Sequence, residues 1–413
     1  MIVALLILAA PSVSAAEVSN EELQRRLDIL SGEVEKLKIG DSSAQADQRQ
    51  HGLAPGASKV YRAKPGISFG GYGETLYQNL SGKRENGTAS GSIDTVDLLR
   101  LVLYSGFKFN EFWVLNSEVE FEHGSTDANG SVSVEFAYLD YLMSPELSFR
   151  AGLLLVPMGF INEIHEPTAY LGARRPFVER VILPATWQEN GAGLHGALGN
   201  FTYRSYAVAG LNASDFTATG IRNGRQLGSE SNASNGAWVS RVDYSGLPGL
   251  LLGSSFYIGR SSTEAAANRG GGRSIPTRIM EAHAELRWRA VQLRVLAAQS
   301  MLGRVADLNT ALGLTGAGAI GSEQSGAYAE LGYDLLSGSA MGLIPFVRFE
   351  SYGTQGKVPT GFEKNPANHQ RHSTIGAVFR PIEQIALKAD YQRIQRGDRT
   401  GVNQWNLAIG YVF

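Results

Sequence analysis

Residues 160–191, FINEIHEPTAYLGARRPFVERVILPATWQENG, hold the densest mixture of charge, imidazole and aromatic groups in the chain. Glu163, His165, Glu166, Arg174, Arg175, Glu179, Arg180 and Glu189 fall among Phe160, Ile164, Tyr170, Phe177, Val181, Ile182 and Trp187. The apolar residues need burial, so the segment is expected to fold inward against a wall and to carry its charged groups with it. Charged side chains held at a narrow point select ions and polar solutes by electrostatics and hydrogen bonding. A folded cap over the outside is the plainer alternative.

Other arrangements that resemble chemistry carry less. Glu281, His283 and Glu285 share one face of an alternating segment and have donor types that suit a metal, but no second His cluster lies near them in the chain, so a lining role is expected. Gly316, Gly318 and Gly321 fit G-x-G-x-x-G, a spacing that binds dinucleotides only between a strand and a helix; an alternating segment follows here instead. The Asn-x-Ser triplets at Asn79, Asn212 and Asn232 are compositional in a bacterial protein. No G-x-S-x-G element is present. The expectation is a protein with no catalytic residue, no metal and no cofactor, hence not an enzyme.

The elements that must position loop 160–191 are strands. In the last thirteen residues, GVNQWNLAIGYVF, Trp405, Leu407, Ile409, Tyr411 and Phe413 share one face, while Gln404, Asn406, Ala408 and Gly410 share the other. In IMEAHAELRWRA, Met280, Ala282, Ala284, Leu286 and Trp288 alternate with Glu281, His283, Glu285, Arg287 and Arg289. A face with so many charges has to border water, because a basic residue at a bilayer midplane costs ~2–4 kcal/mol. About sixteen such segments run from residue 66 to the end, joined alternately by short turns and by long Gly-, Asn- and Ser-rich connections, as in outer-membrane barrels. The predicted fold is all-β: a transmembrane antiparallel barrel of about 16 strands over 66–413.

Alternation also assigns the inner wall. Arg100, Lys108, Arg150, Arg204, Arg241, Arg287, Arg289, Arg294, Arg348, Arg380 and Lys388 are set against Glu74, Glu118, Glu120, Glu122, Asp243, Glu281, Glu285, Glu350 and Asp390. Eleven basic against nine acidic groups is close to balance and predicts weak ion selectivity.

Ahead of the barrel, residues 1–16 (MIVALLILAAPSVSAA) have the apolar run and small-residue ending of a signal peptide, without a leading Lys or Arg. Leu23, Leu27, Leu30, Val34 and Leu37 recur at spacings of four and three, which predicts a short coiled-coil helix over 17–39. Residues 40–65 are polar and aperiodic, and are expected to be a linker. With 413 residues, 18% charged, 49 Gly and no Cys, the composition fits neither a disordered nor a helical protein. An exported chain without disulfides needs stability from another source, and a closed barrel supplies it. The net charge of −2 gives no case for nucleic acid.

The run RAGLLLVPMGFINEIHEP from Arg150, then RRPFVERVILPATWQENGAGLHG to Gly196, resembles the phosphate-selective porin O and P family of Gram-negative outer membranes. The resemblance implies a trimeric, sixteen-stranded channel, an inward-folded third loop and an N-terminal periplasmic segment. The terminal Phe413 on its alternating segment resembles the signal read by the outer-membrane assembly machinery. The expected function is passive diffusion of small hydrophilic solutes or anions, with phosphate a candidate, through a homotrimer embedded in outer-membrane lipid. An adhesin or receptor barrel, or a barrel hydrolase, is the alternative.

Overall fold

Sixteen antiparallel strands close into one ring in chain order, with β1 pairing β16. The computed structural model describes Arg26 and residues 51–124, 130–263 and 274–413. The expected signal peptide (1–16) and coiled-coil helix (17–39) lie outside the described residues, apart from Arg26. The strands are β1 (Gly66–Leu80), β2 (Thr95–Lys108), β3 (Trp113–Glu122), β4 (Ser131–Leu142), β5 (Ser148–Leu155), β6 (Gln188–Leu198), β7 (Phe201–Ala209) and β8 (Gly236–Leu247). The ring continues through β9 (Leu250–Ser261), β10 (Ile275–Trp288), β11 (Val291–Leu302), β12 (Glu323–Tyr333), β13 (Gly342–Lys357), β14 (His369–Ile382), β15 (Ile385–Arg396) and β16 (Gln404–Val412). Short turns gather at one end and long connections at the other.

Period-2 patterning decides which way each side chain points. On β16, Trp405, Leu407 and Ile409 are more than half exposed, whereas Gln404, Asn406 and Ala408 are at most 4% exposed. The barrel therefore wears its large apolar residues outside and its amides within, the reverse of a water-soluble sandwich. Among the described residues, no helix is long and apolar enough to cross a membrane.

The interior departs from the expectation of a bore lined throughout by water-facing groups. Tyr72, Tyr104, Phe136, Tyr138 and Tyr206 point inward from β1, β2, β4 and β7 and are buried in the main hydrophobic cluster. Their cover comes partly from residues 51–65, where the expected linker is corrected to a segment folded inside the ring. Leu53, Ala54, Ala57 and Val60 are buried there, and α1 (Lys59–Arg62) packs on β1, β2 and β3. The Asn116 side chain donates to the Ala57 carbonyl at 2.8 Å. The Tyr61 hydroxyl donates to Asp140 at 2.6 Å. Leu53, Val60 and Tyr61 are too few to announce themselves among Gly, Ala and Ser, yet they match the aromatic inner wall.

Asp140 and Arg150 anchor this segment. Arg150 Nε and Nη2 donate to the two Asp140 carboxylate oxygens at 2.7 and 2.9 Å, with both side chains at most 4% exposed. Replacing Asp140 with Ala strands the guanidinium, and removing one partner of a buried pair costs ~3–5 kcal/mol. The D140A barrel should therefore unfold at a distinctly lower urea concentration, read from its heat- and urea-dependent gel mobility. An unchanged midpoint would mean that water reaches this pair.

Candidate functional site: the inward loop and its arginine cluster

β5 is only eight residues long, and the chain then leaves the wall. Gly159 makes the departure possible: its φ is +68°, and a Cβ there would collide with the Glu179 carboxylate. Asn162 ties the two stems of the loop together. Its Nδ2 donates to the carbonyls of Val156 (2.6 Å) and Trp187 (2.8 Å), and its Oδ1 accepts from the Trp187 N–H at 2.6 Å. Trp187 is fully buried, its ring centroid 5.0 Å from that of Tyr257.

The charged wall holds the loop by its backbone. Arg294 donates to Ala169 O at 3.1 Å, Arg380 to Thr168 O at 2.9 Å, and Lys388 to both Tyr170 O and Gly172 O at 2.9 Å. Arg348 donates to Arg174 O at 3.0 Å, and Arg241 donates to Gly159 O. In the opposite sense, Asp390 accepts from the Ala173 N–H (2.6 Å), Glu350 from Val178 (3.2 Å) and Glu281 from Gly159 (3.5 Å). A loop in a barrel has no sheet partners, so these side chains satisfy its backbone.

Other wall residues pair with one another. Arg100 bridges Glu74 and Glu120 at 3.4 Å each, and Glu285 pairs with Arg287 (3.1 Å) and Arg294 (2.8 Å). Arg204 and Arg241 both pair with Asp243. Arg348 contacts Glu330 (3.2 Å) and Glu350 (2.9 Å). Lys108 reaches Glu111 at 3.1 Å, and Glu118 contacts His165. Arg289 is corrected: it lies past the end of β10 in an exposed turn at φ +53°, with its guanidinium 4.9 Å from the Trp288 ring centroid. Alternation fails there because the strand has already ended.

Burial sorts the loop's own charges by sign. Glu163, Glu166, Glu179 and Glu189 are at most 4% exposed. Glu163 pairs with Arg204 (3.4 Å) and Arg241 (3.6 Å). Glu166 accepts from the Gly56 N–H at 2.9 Å, and burial lifts its carboxyl to about 7. Glu179 accepts from Ile161 N–H (2.7 Å) and the Tyr328 hydroxyl (2.6 Å), while Glu189 accepts from the Trp187 indole and Gln226 N–H at 3.0 Å. His165 is buried as well.

The arginines do otherwise. Arg174 and Arg175 are half-buried and Arg180 is exposed, and among the described residues no carboxylate lies in ion-pair contact with any of the three. Arg222 and Arg225 join them from the next long connection, donating to the carbonyls of Ala185 and Thr186. Burial, then Arg180, holds Arg174 below the usual guanidinium range; burial, then Arg225, Arg180 and Arg175, does so for Arg222. Arg222 also donates to the Arg180 carbonyl at 3.3 Å, which brings the two connections together. Arg222 and Arg225 were not singled out from sequence. Their signal was the apolar set Leu211, Phe216 and Ile221 in a connection otherwise rich in Gly, Asn and Ser, all three now buried. At the short-turn end, a cavity of about 640 Å³ opens between His51, His195, Arg204, Asp243 and Arg287.

The ring, its inward loop and its apolar exterior define a sixteen-stranded barrel of the outer-membrane porin fold. Among solved structures it is similar to OmpF of Salmonella typhi in complex with daunomycin (TM-score 0.55, 12% identity, 84% of this chain and 97% of that one). It is similar too to an anion-selective porin from Comamonas acidovorans (0.53, 12%, 84% and 99%) and to the trimer form of OmpT, an outer membrane protein of Vibrio cholerae (0.53, 12%, 85% and 100%). At this identity the likeness is one of fold. By sequence, the chain belongs to the same family as an uncharacterized protein of Aquifex aeolicus (strain VF5), with 32% identity over 391 residues, 92% of this chain and 87% of that protein. No protein-family model matches the chain.

Proposed function

We propose that the protein is a passive diffusion channel of a Gram-negative outer membrane that favours small hydrophilic anions, phosphate among them. The observation that carries this reading is the sorting of loop charges: the acids are spent on buried bonds, while Arg174, Arg175 and Arg180 stay half-buried or exposed with no carboxylate in ion-pair contact among the described residues. The near-balanced count of wall charges predicts weak selectivity only if all of them face water equally, and most are committed to the loop's backbone or to one another. A positive constriction in a low-dielectric wall raises the local concentration of anions and lowers that of cations. The anion selectivity named for the Comamonas porin and the trimer named for Vibrio OmpT accord with this reading and with a homotrimeric assembly.

Under the same proposal the exposed apolar belt faces lipid, and the short-turn end faces the periplasm. Phe413, half exposed, ends the strand offered to the assembly machinery; its N–H donates to Gly71 O at 2.8 Å at the closing seam with β1. Liposomes containing the purified protein should swell in isotonic solutions of small sugars and of anion salts. Liposomes that stay optically unchanged in every solute would identify a closed receptor barrel instead.

A further inference from the structure

We infer that Glu118, Glu135 and His165 hold a divalent transition cation, of the zinc or manganese kind, that pins the inward loop to the barrel wall. The inference is independent of what the channel conducts.

It begins with a fault in the strand register. Between β3 and β4, Glu118 faces Phe136 and Val119 faces Val134, so Glu135 is the extra residue of a β-bulge. Strict alternation would send Glu135 outward opposite to Phe136. The bulge turns both inward, and both are buried, at 4% and 0% exposure. The fold thus brings a second carboxylate into a dry place already occupied by Glu118.

Burying carboxylates is costly unless something satisfies them. Here Oε2 of Glu118 and Oε2 of Glu135 are buried with no hydrogen-bond partner. Among the described residues, none of the nearby cations makes an ion pair with either carboxylate: Arg100 lies between Glu74 and Glu120, and Arg175 Nη2 donates to the His165 carbonyl at 3.0 Å while its Nε has no partner. One donor atom each from Glu118, Glu135 and His165 lies within 4.8 Å of the others.

The histidine is set up as a ligand. Its Nδ1 lies 3.1 Å from Asn162 O, which only accepts, so Nδ1 carries the proton. Nε2 is then left with a lone pair aimed at Glu118 Oε1, 3.0 Å away. A carboxyl proton on Glu118 would fill this contact, as would a cation bound by both atoms, and only the cation would also draw on Glu135. A ring N–H bonded to a backbone carbonyl is the usual outer support of a metal-bound imidazole. One imidazole with two carboxylates suits zinc or manganese, whereas calcium and magnesium prefer oxygen alone. His283 differs in having a carboxylate at each ring nitrogen, Glu281 at 2.8 Å and Asp243 at 3.0 Å, with Arg241 beside it to balance their charge.

The experiment strips the untagged, detergent-purified chain with a chelator and titrates it with Zn²⁺, Mn²⁺ and Ca²⁺ by calorimetry, beside Glu135→Gln and His165→Gln. The expected result is one Zn²⁺ or Mn²⁺ per chain, bound about a hundredfold more weakly in each variant, with Ca²⁺ weaker than either. No binding by the native chain, equal binding by folded variants, or a preference for Ca²⁺ would overturn the assignment. Should a variant lose the heat-modifiable gel mobility of a folded barrel, Co²⁺ added to the native chain decides. A visible absorption band with a nitrogen ligand supports the site, and a spectrum unchanged from aqueous cobalt refutes it.

Discussion

Reversing Arg174 and Arg180 together, as R174E/R180E, should convert an anion-preferring channel into a cation-preferring one. Neither side chain makes an ion pair with a carboxylate among the described residues: Arg174 lies over the Phe177 ring, 5.6 Å from its centre, and Arg180 is exposed. The substitution should therefore change the field without collapsing the constriction. At about 4 Å in water a pair of unit charges interacts by about 1 kcal/mol, so two reversals should move the anion-to-cation permeability ratio by at least about tenfold. The measurement is the reversal potential across a planar bilayer under a salt gradient. The effect should be large near 0.1 M salt and small at 1 M, because the screening length falls from about 10 Å to about 3 Å. A ratio unmoved at low salt would place these arginines away from the path.

Excising residues 52–62 should raise the single-channel conductance severalfold and weaken the barrel. This segment packs inside the ring beside β1–β3, with the Gly56 N–H donating to Glu166 of the inward loop. Its removal uncovers Tyr104, Phe136 and Tyr138 and forfeits the burial of Leu53, Val60 and Tyr61. Each such side chain contributes ~1.5–3 kcal/mol when fully buried, so the folded form should be lost at a lower urea concentration. Unchanged conductance would show that solutes already bypass the segment.

The strands were legible in the chain to within a few residues, because hydrocarbon outside and amides or charges inside impose a period of two that nothing local disguises. β16 shows this most plainly, and β10 repeats it. The inward course of 160–191 was legible too, from aromatic residues that solvent would not tolerate. Three features were not. Residues 51–65 look like a linker because their packing depends on aromatic residues from β2 and β4, far away in sequence. Glu135 is hidden by its bulge, since the same alternation that places its neighbours points it the wrong way. The charge balance of the wall was silent for a related reason: counting eleven basic against nine acidic groups cannot reveal which of them are spent on the loop's backbone, as Arg294 and Lys388 are, or that Glu163, Glu166, Glu179 and Glu189 of the loop are sealed into the protein.

The account rests on a positively charged passage through the barrel, and the reversal potential of the native protein in a KCl gradient near 0.1 M tests it most directly. The prediction is a potential displaced towards that of chloride, with phosphate salts shifting it in the same sense. A potential displaced towards that of potassium, or a bilayer that never conducts, would contradict it.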